Sequence, residues 1–292
     1  MALRTDYKDD ILPAEGRKYS LISNPDGTTS IADVTQYTQV GDDYGASDIN
    51  LLNAIVNTLN APGAGAHNAI YRGKDLGTAV TDEQYAAIQS GTFDDLYIGD
   101  YWTIGDVVYR IAAFDYFYNV GDTPLTIHHA VIVPDSILYD AKMNATNITT
   151  GGYTGSVMRT TNLATAKTTI KAAFLNHVVE HRQLLTNAVN ASGQASGWAW
   201  FDCEVELMNE VMVYGSVAFG SSSIGASGYN VASSHGVLPL FAIRHDLVNN
   251  RAHYWLRDVA SASNFALVRA YGHAGNDSAS YPFGVRPAFS IS

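Results

Sequence analysis

Two histidines and a glutamate stand at the spacing of a zinc site. His177-Val178-Val179-Glu180-His181 matches H-x-x-E-H, the inverted zinc-peptidase signature, which on a helix places two imidazoles one turn apart beside a carboxylate. Such an enzyme needs a third ligand from a downstream helix, and Glu206 or Glu210 would have to supply it. Because His177 falls on the apolar stripe of a predicted helix, structural roles are favoured for these residues, and no metal is predicted.

A cluster of carboxylates is the second chemical candidate. Asp202, Glu204, Glu206 and Glu210 are close in sequence, and a pair of carboxyls can act as acid and base in glycoside hydrolysis. On a helix predicted after Asp202, however, Glu206 and Glu210 lie one turn apart on the polar face, which is typical of a solvated flank. Closely spaced oxygen ligands of the kind that calcium prefers occur only at Asn276-Asp277. We therefore predict no cofactor and no enzyme activity.

The remaining reactive residues also favour structure over catalysis. His128-His129 falls in a predicted strand, where adjacent side chains point to opposite faces and cannot chelate one ion together. A single cysteine, Cys203, excludes an intramolecular disulfide and is expected to be a buried thiol. The sequence has no phosphate-binding glycine loop, nucleophile elbow or redox cysteine pair. This inventory favours a binding protein.

Composition limits the partners. Charged residues make up only 15% of the chain, whereas 18 Tyr and 25 Gly favour an uncharged, aromatic and turn-rich surface. The formal net charge of -11, without a Lys/Arg cluster, argues against nucleic acid. The sequence lacks a signal-like apolar start and any run of about eighteen apolar residues, so we expect cytoplasmic synthesis and no membrane insertion.

The chain is predicted to have two domains, residues 1–66 and 67–292. In the first, a turn-rich arm contains a tight turn at Pro25-Asp26-Gly27, and Ser47 caps a helix. Apolar residues occupy a and d positions of this helix: Ile49, Leu52, Val56 and Leu59. Association of helices around an axis or packing on the chain's own core would bury this seam. The stretch 61–66, rich in Ala and Gly, is the predicted linker.

The second domain is predicted to be α+β with long irregular loops. Local signals predict a helix opened by the capping box Thr81–Gln84, a hairpin with a turn at Gly105-Asp106, a strand at 125–133 and a long helix at 163–187. After Asp202 a second helix is predicted, with inward apolar residues and an end at Gly215; the inward residues are Val205, Met208 and Met212. Residues 220–234 are Gly/Ser-rich and predicted to be a loop.

The last forty residues mix two kinds of side chain. Large apolar groups with Arg, Gly and Pro are typical of buried strands and fixed turns. Between them lie Tyr, Asn, Ser and His, which form no apolar period and no acid, base or metal constellation. Aromatic rings give contact area at low entropy cost and small polar groups give hydrogen bonds, so this mixture is typical of an adaptable contact surface.

This segment resembles the variable region of proteins diversified by a diversity-generating retroelement, which include phage tropism determinants. The matching residues are Tyr254-Trp255-Leu256-Arg257-Asp258 at its start and Gly284-Val285-Arg286-Pro287-Ala288-Phe289 at its end. The arm, from Leu12-Pro13-Ala14-Glu15-Gly16-Arg17 through Ser23–Thr28 to Val34-Thr35-Gln36-Tyr37, resembles the amino-terminal module of structural proteins from phages of Gram-positive bacteria.

The resemblance implies a C-type-lectin-like fold with a variable region at about 251–289. Trp255, Phe265, Val268, Val285 and Phe289 would anchor its frame, and Arg257, Asp258 and Arg286 would pair beneath it. The ligand-binding positions would be His253, Asn264, Leu267, Arg269, Tyr271, His273, Asn276, Asp277, Tyr281 and Phe283.

A phage virion protein is the function that these resemblances imply. Its arm and short helix would mediate assembly as a homotrimer with other virion proteins, and its variable face would bind a host cell-surface receptor, glycan or protein, without catalysis. The alternative is a structural protein that decorates a capsid or tail and binds other virion subunits through the same surface.

Overall fold

A computed structural model describes residues 6–41, 46–59, 64–220 and 236–292, and in these residues strands outnumber helices. The fold is mixed α+β, with 22% of residues helical and 33% in strands. The chain divides into two compact units, Met1–Ala61 and Pro62–Ser292.

The first unit contains a hairpin and a helix. Strands β1 (Tyr19–Ser23) and β2 (Thr29–Asp33) pair antiparallel, and the tight turn predicted between them is confirmed. The backbone N–H of Asn24 donates to Thr28 O at 2.8 Å, and Gly27 adopts the positive φ of 80° that glycine tolerates. Helix α1 (Ala46–Leu59) begins one residue before the predicted cap Ser47.

The second unit contains five helices and thirteen strands among its described residues. The helices are α2 (Ala64–Asn68), α3 (Asp82–Gln89), α4 (Leu163–Phe174), α5 (Glu210–Tyr214) and α6 (Pro239–Ile243), with a π-helical turn at Met158–Asn162 and 3-10 turns at Leu175–His177 and His245–Val248. The strands are β3 (Tyr101–Ile104), β4 (Val107–Phe114), β5 (Ala130–Pro134), β6 (Tyr139–Lys142), β7 (Val178–Val179), β8 (His181–Val189), β9 (Ala195–Cys203), β10 (Val205–Leu207), β11 (Tyr254–Val259), β12 (Asn264–Val268), β13 (Ala274–Ser278), β14 (Pro282–Val285) and β15 (Pro287–Ile291).

These strands form two larger sheets and one hairpin. The first sheet has the order β10-β15-β5-β4-β3, and β7 also pairs with β15. The second has the order β13-β12-β11-β14-β6, so it contains most of the segment that was predicted to vary. Strands β8 and β9 pair with each other. The carboxyl-terminal strand β15 is buried along its length, which ties the end of the chain into the first sheet.

Local sequence signals predicted several elements correctly. The capping box is confirmed, because the Thr81 side chain accepts from Gln84 N–H (3.3 Å) and Gln84 Oε1 accepts from Thr81 N–H (3.0 Å). The hairpin β3–β4 turns at Gly105-Asp106 as predicted. Gly215 ends α5 with φ of 78°, and the inward apolar side chains at 205, 208 and 212 are buried.

The long helix predicted over 163–187 is wrong beyond Phe174. Helix α4 ends there because Leu175 takes a positive φ of 52°, and the chain then enters a 3-10 turn and strands β7 and β8. Leu184, which falls within the predicted helix, lies instead in β8. The residues around Leu184 therefore pair with β9 as a strand.

Two further element predictions are corrected. The helix predicted after Asp202 is replaced by the end of β9, by β10 and by the short α5, which begins only at Glu210. The strand predicted over 125–133 begins at Ala130, so His128 and His129 precede it. The predicted loop at 220–234 lies, except for Gly220, outside the described residues.

Candidate binding surface

The frame predicted for the variable segment is buried as expected. Trp255, Phe265, Val268, Val285 and Phe289 are each at most 1% exposed. Trp255 also donates its indole N–H to Ala141 O on β6 at 2.9 Å, which fixes its ring within the second sheet. A rigid base therefore underlies the turns that connect β11 to β14.

Arg286 donates several hydrogen bonds within this frame. Its guanidinium is buried and donates to the carbonyl oxygens of Pro134 (2.9 Å) and Leu247 (3.1 Å) and to the Tyr254 hydroxyl (3.2 Å). A planar fork of five donors suits this set of acceptors. The role predicted for Arg286 as a partner of Arg257 and Asp258 is therefore wrong.

Arg257 and Asp258 also have other partners. The Arg257 guanidinium donates to the side-chain oxygen of Gln183 and to Leu207 O (3.4 Å). Asp258 Oδ2 accepts the backbone N–H of Glu210 at 2.7 Å. The sequence motif places these charges side by side, but the fold directs them to different elements.

Three of the predicted contact residues are clearly exposed. Tyr271 is 84% exposed and Tyr281 52%, and His273 is also exposed. Tyr271 and His273 lie on the turn between β12 and β13, which is closed by the bonds from Arg269 N–H to His273 O and from Gly272 N–H to Arg269 O, both 2.8 Å. These side chains are available to a partner of this chain.

Four polar residues in or next to β12 and β13 divide between the two faces of the sheet. Asn264 Nδ2 donates to Asn276 Oδ1 at 2.8 Å, so these two amides share one face. Asp277 follows Asn276 in β13 and therefore points to the opposite face, where Arg269 approaches it at 3.4 Å. All four are partly buried. The polar positions thus flank the hairpin on both sides.

An aromatic cluster forms a second, partly buried part of the surface. The ring of His253 stacks on Phe283 with centroids 5.1 Å apart, and Tyr281 meets the edge of the same ring at 6.2 Å. Phe283 in turn rests on Trp255 at 5.0 Å. The cluster therefore connects exposed Tyr281 to the buried frame.

Leu267 is a wrong prediction. It lies in the middle of β12, opposite Trp255 of β11, and is 0% exposed. The sequence places Leu267 between frame residues in the same way as the exposed contact residues. It could not show that Leu267 is buried, because both faces of β12 are covered by protein. Leu267 belongs to the core.

Tyr214 was missed as a residue that supports this surface. The Tyr214 hydroxyl donates to Gly272 O at 3.1 Å, on the turn that carries Tyr271. Burial raises the pKa of Tyr214 well above its ordinary value. Nothing in the sequence near 210–214 signals this contact, since its partner is 58 residues away.

The zinc-like motif is not on one helix. His177 lies in the 3-10 turn, where its Nδ1 is 2.6 Å from Ser292 O and its ring stacks on Tyr85 at 3.5 Å. His181 lies in β8, with its ring 3.9 Å from that of Phe117. The helical spacing that would bring both imidazoles to one metal is therefore lost.

The carboxylate cluster is dispersed as well. Glu206 is 2% exposed and accepts from the Tyr153 hydroxyl at 2.7 Å and from Arg159 at 3.1 Å. Burial, followed by the nearby Glu206 charge, raises the pKa of Tyr153 well above its ordinary value. Glu210 is 0% exposed. The solvated flank predicted for Glu206 and Glu210 is wrong, and their acceptor roles explain their burial.

The paired histidines are held by one aspartate. His128 Nδ1 lies 2.8 Å from Asp115 Oδ2, and the backbone N–H of His129 donates to Asp115 Oδ1 at 3.0 Å. His129 Nε2 accepts the N–H of Phe117 at 3.0 Å, and burial lowers the pKa of His129. His129 therefore acts as a satisfied core histidine.

Further features bear on partners and cofactors. Cys203 is a free, buried thiol as predicted, and burial raises its pKa to about 12. The part of the chain that the structure describes contains neither a group of three His, Cys, Asp or Glu side chains placed to hold a metal ion nor a helix long and apolar enough to span a bilayer. Comparison of the chain with protein-family models, curated proteins and solved structures gives no match.

Proposed function

We propose that this chain is a phage virion protein that binds a host cell-surface receptor through the surface around Tyr271, His273 and Tyr281. The observation that carries the proposal is the contrast between these exposed side chains and the fully buried frame beneath them. Substitutions at such positions change contacts without removing core packing, as an adaptable recognition surface requires. Recognition on this surface needs no catalytic group.

The finer fold and the genetic origin belong to the same proposal. The resemblance of the segment 251–289 to diversified variable regions supports a C-type-lectin-like fold for the second unit. A genetic prediction follows: a near-copy of the coding segment for residues 251–289, differing mainly at adenines, lies beside a reverse transcriptase gene. The structural alternative predicts no such copy.

Assembly is assigned to the first unit. We propose that the arm and α1 join copies into a homotrimer and attach them to other virion proteins. Several weak sites on one particle raise the effective concentration for each further contact, so avidity compensates for modest affinity at a single site.

One observation supports contact with other virion proteins, which the main proposal shares with the alternative function, a structural decoration protein. In the first unit, Leu21 and Ile31 face each other across β1 and β2 and are 75% and 70% exposed. An isolated two-stranded hairpin is marginal in water, and exposed apolar pairs mark contact sites. In this alternative the chain's main partners are other virion subunits.

Binding of the purified, labelled chain to host bacteria separates the two functions. We expect Tyr271→Ala and Tyr281→Ala to reduce binding with little change in melting temperature. Ile127→Ala is the control, because Ile127 is 50% exposed but lies outside the variable segment and outside the arm. Binding by the two tyrosine variants equal to that of the control would contradict receptor binding through this surface and favour the decoration role.

A further inference from the structure

A buried glutamate holds a short segment that follows α5. The carboxylate of Glu210 accepts the backbone N–H groups of Ala218 (3.0 Å), Phe219 (3.0 Å) and Gly220 (2.8 Å). Three donors converge on one side chain that is 0% exposed. Residues 216–220, which we call the tethered segment, are therefore attached to the start of α5 by charge-assisted hydrogen bonds.

Asp258 on β11 lies next to both Glu210 and the tethered segment. Its Oδ2 accepts the backbone N–H of Glu210 at 2.7 Å. A Cβ added to Gly220 would lie 2.9 Å from Asp258 Cβ and 3.1 Å from Glu210 Oε2, so only glycine fits between the two carboxyl-bearing residues. The two acids and the tethered segment are thus in direct contact.

The surroundings of Asp258 disfavour its ionised form. Although part of its surface remains accessible, the carboxyl is surrounded by protein. Burial, reinforced by the Glu210 charge from α5, raises the pKa of Asp258 to about 7, against the opposing effects of the hydrogen bond from the Glu210 N–H and, more weakly, of Arg257 on its own strand. An adjoining cavity is lined also by Thr186 and Trp198, which carry no charge.

The two side chains differ in their backbone donors. Three N–H groups converge on the carboxylate of Glu210, whereas Asp258 accepts the N–H of Glu210. An ionised Asp258 faces the Glu210 charge in a poorly solvated place, where two adjacent negative charges repel each other.

We propose that Glu210 and Asp258 form a proton-dependent clasp, closed on the tethered segment while Asp258 is protonated and loosened when both acids are ionised. The clasp is a property of the isolated chain and does not depend on the receptor-binding function. It would make the conformation of the tethered segment sensitive to the pH of the surrounding medium near neutrality.

Hydrogen exchange of the full-length chain tests the clasp. We expect the protection of the amides of residues 218–220, after correction for intrinsic exchange, to fall about tenfold or more between about pH 6 and about pH 8.5. In Asp258→Asn, which cannot ionise at this position, protection should be the same at both pH values. Asp246→Asn is the control, because Asp246 is exposed and pairs with Arg244 elsewhere, so it should behave like the wild type.

A second variant keeps the test decisive if Asp258→Asn does not fold. Glu210→Gln retains an oxygen acceptor but removes the charge that an ionised Asp258 would repel, so the loosening of the tethered segment above about pH 6 should be lost. The clasp is overturned if the wild type shows constant protection across this range. It is equally overturned if the folded variants keep the wild-type pH dependence.

Discussion

The hydroxyl of Tyr214 donates a hydrogen bond to the backbone oxygen of Gly272 at 3.1 Å. This bond joins the last residue of α5 to the β12–β13 turn, on which Tyr271 and His273 are exposed. Gly272 has φ of 88° and lies close to Asn249, so the turn is also held from a second side. The exposed side chains of the proposed surface therefore project from a fixed backbone.

Removal of the Tyr214 hydroxyl should weaken receptor binding. Tyr214→Phe removes one partly buried hydrogen bond, for which we expect a loss of about 0.5–1.5 kcal/mol in unfolding free energy. The released turn should lower affinity about three- to tenfold, because ordering it on binding then costs free energy. Denaturant unfolding and cell-binding titrations measure the two effects.

Tyr139→Phe is the matched control for this prediction. The Tyr139 hydroxyl donates to Asn162 O at 2.6 Å and accepts the backbone N–H of Ala166 at 3.3 Å, so this variant removes two tyrosine hydrogen bonds at a place away from the turn. It should lose stability and keep affinity. An equal affinity loss in both variants would show that Tyr214 acts through general stability alone.

Leu267 and Tyr271 should respond in opposite ways to truncation. Leu267→Ala creates a cavity in the core and should cost about 2–5 kcal/mol in unfolding free energy. Tyr271→Ala removes a side chain that is 84% exposed, and its stability should change by less than about 0.5 kcal/mol. Thermal and urea unfolding of the two variants compare these costs directly, and comparable losses would contradict the placement of Tyr271 on the surface.

Signals that act within a few residues allowed correct prediction of part of the fold. The Thr81–Gln84 capping box, the turn at Gly105-Asp106 and the stop at Gly215 depend on neighbours in sequence and are confirmed. Likewise, Trp255 and Phe265 are buried as their size and apolar character suggested. In these cases local preference and tertiary packing agree.

Elements that depend on distant partners were mispredicted. Helix α4 ends at Phe174 because the next residue, Leu175, takes a positive φ. A glycine would have indicated this conformation in the sequence, but a leucine does not. Apolar residues from there to Val189 fit a helical or a strand period, and pairing with β9 decides for the strand. Glu206 was assigned to solvent because its partner Tyr153 lies 53 residues away.

The binding surface was only partly predictable for the same reason. Exposure of Tyr271 and Tyr281 follows from their place on turns, which sequence can suggest. The burial of Leu267 and the division of Asn276 and Asp277 between opposite faces follow from strand register. Register is fixed by pairing between β11, β12 and β13, which no single segment of sequence encodes.

Arg286 should be intolerant of lysine. Arg286→Lys keeps the positive charge but cannot reach Pro134 O, Leu247 O and the Tyr254 hydroxyl together, so buried acceptors lose their donor. We expect a loss of about 2–4 kcal/mol in unfolding free energy. Arg244→Lys, at an exposed pair with Asp246, should change stability by less than about 1 kcal/mol. Similar small losses for both variants would show that the buried bonds of Arg286 add little stability.

The stability of the chain should fall as pH rises towards neutrality because of Asp258. The pKa of Asp258 is raised in the folded chain from 3.8 to about 7, chiefly by burial and then by Glu210. A raised folded-state pKa gives a contribution that is fully present below about pH 4, declines above it and is lost once pH has passed about 7. This one group then lowers the unfolding free energy by at most about 1.4 kcal/mol per pH unit in that window. Asp258→Asn should remove that slope in urea unfolding measured at several pH values, whereas Asp246→Asn should retain it, and an unchanged slope in Asp258→Asn would assign the pH dependence to other groups.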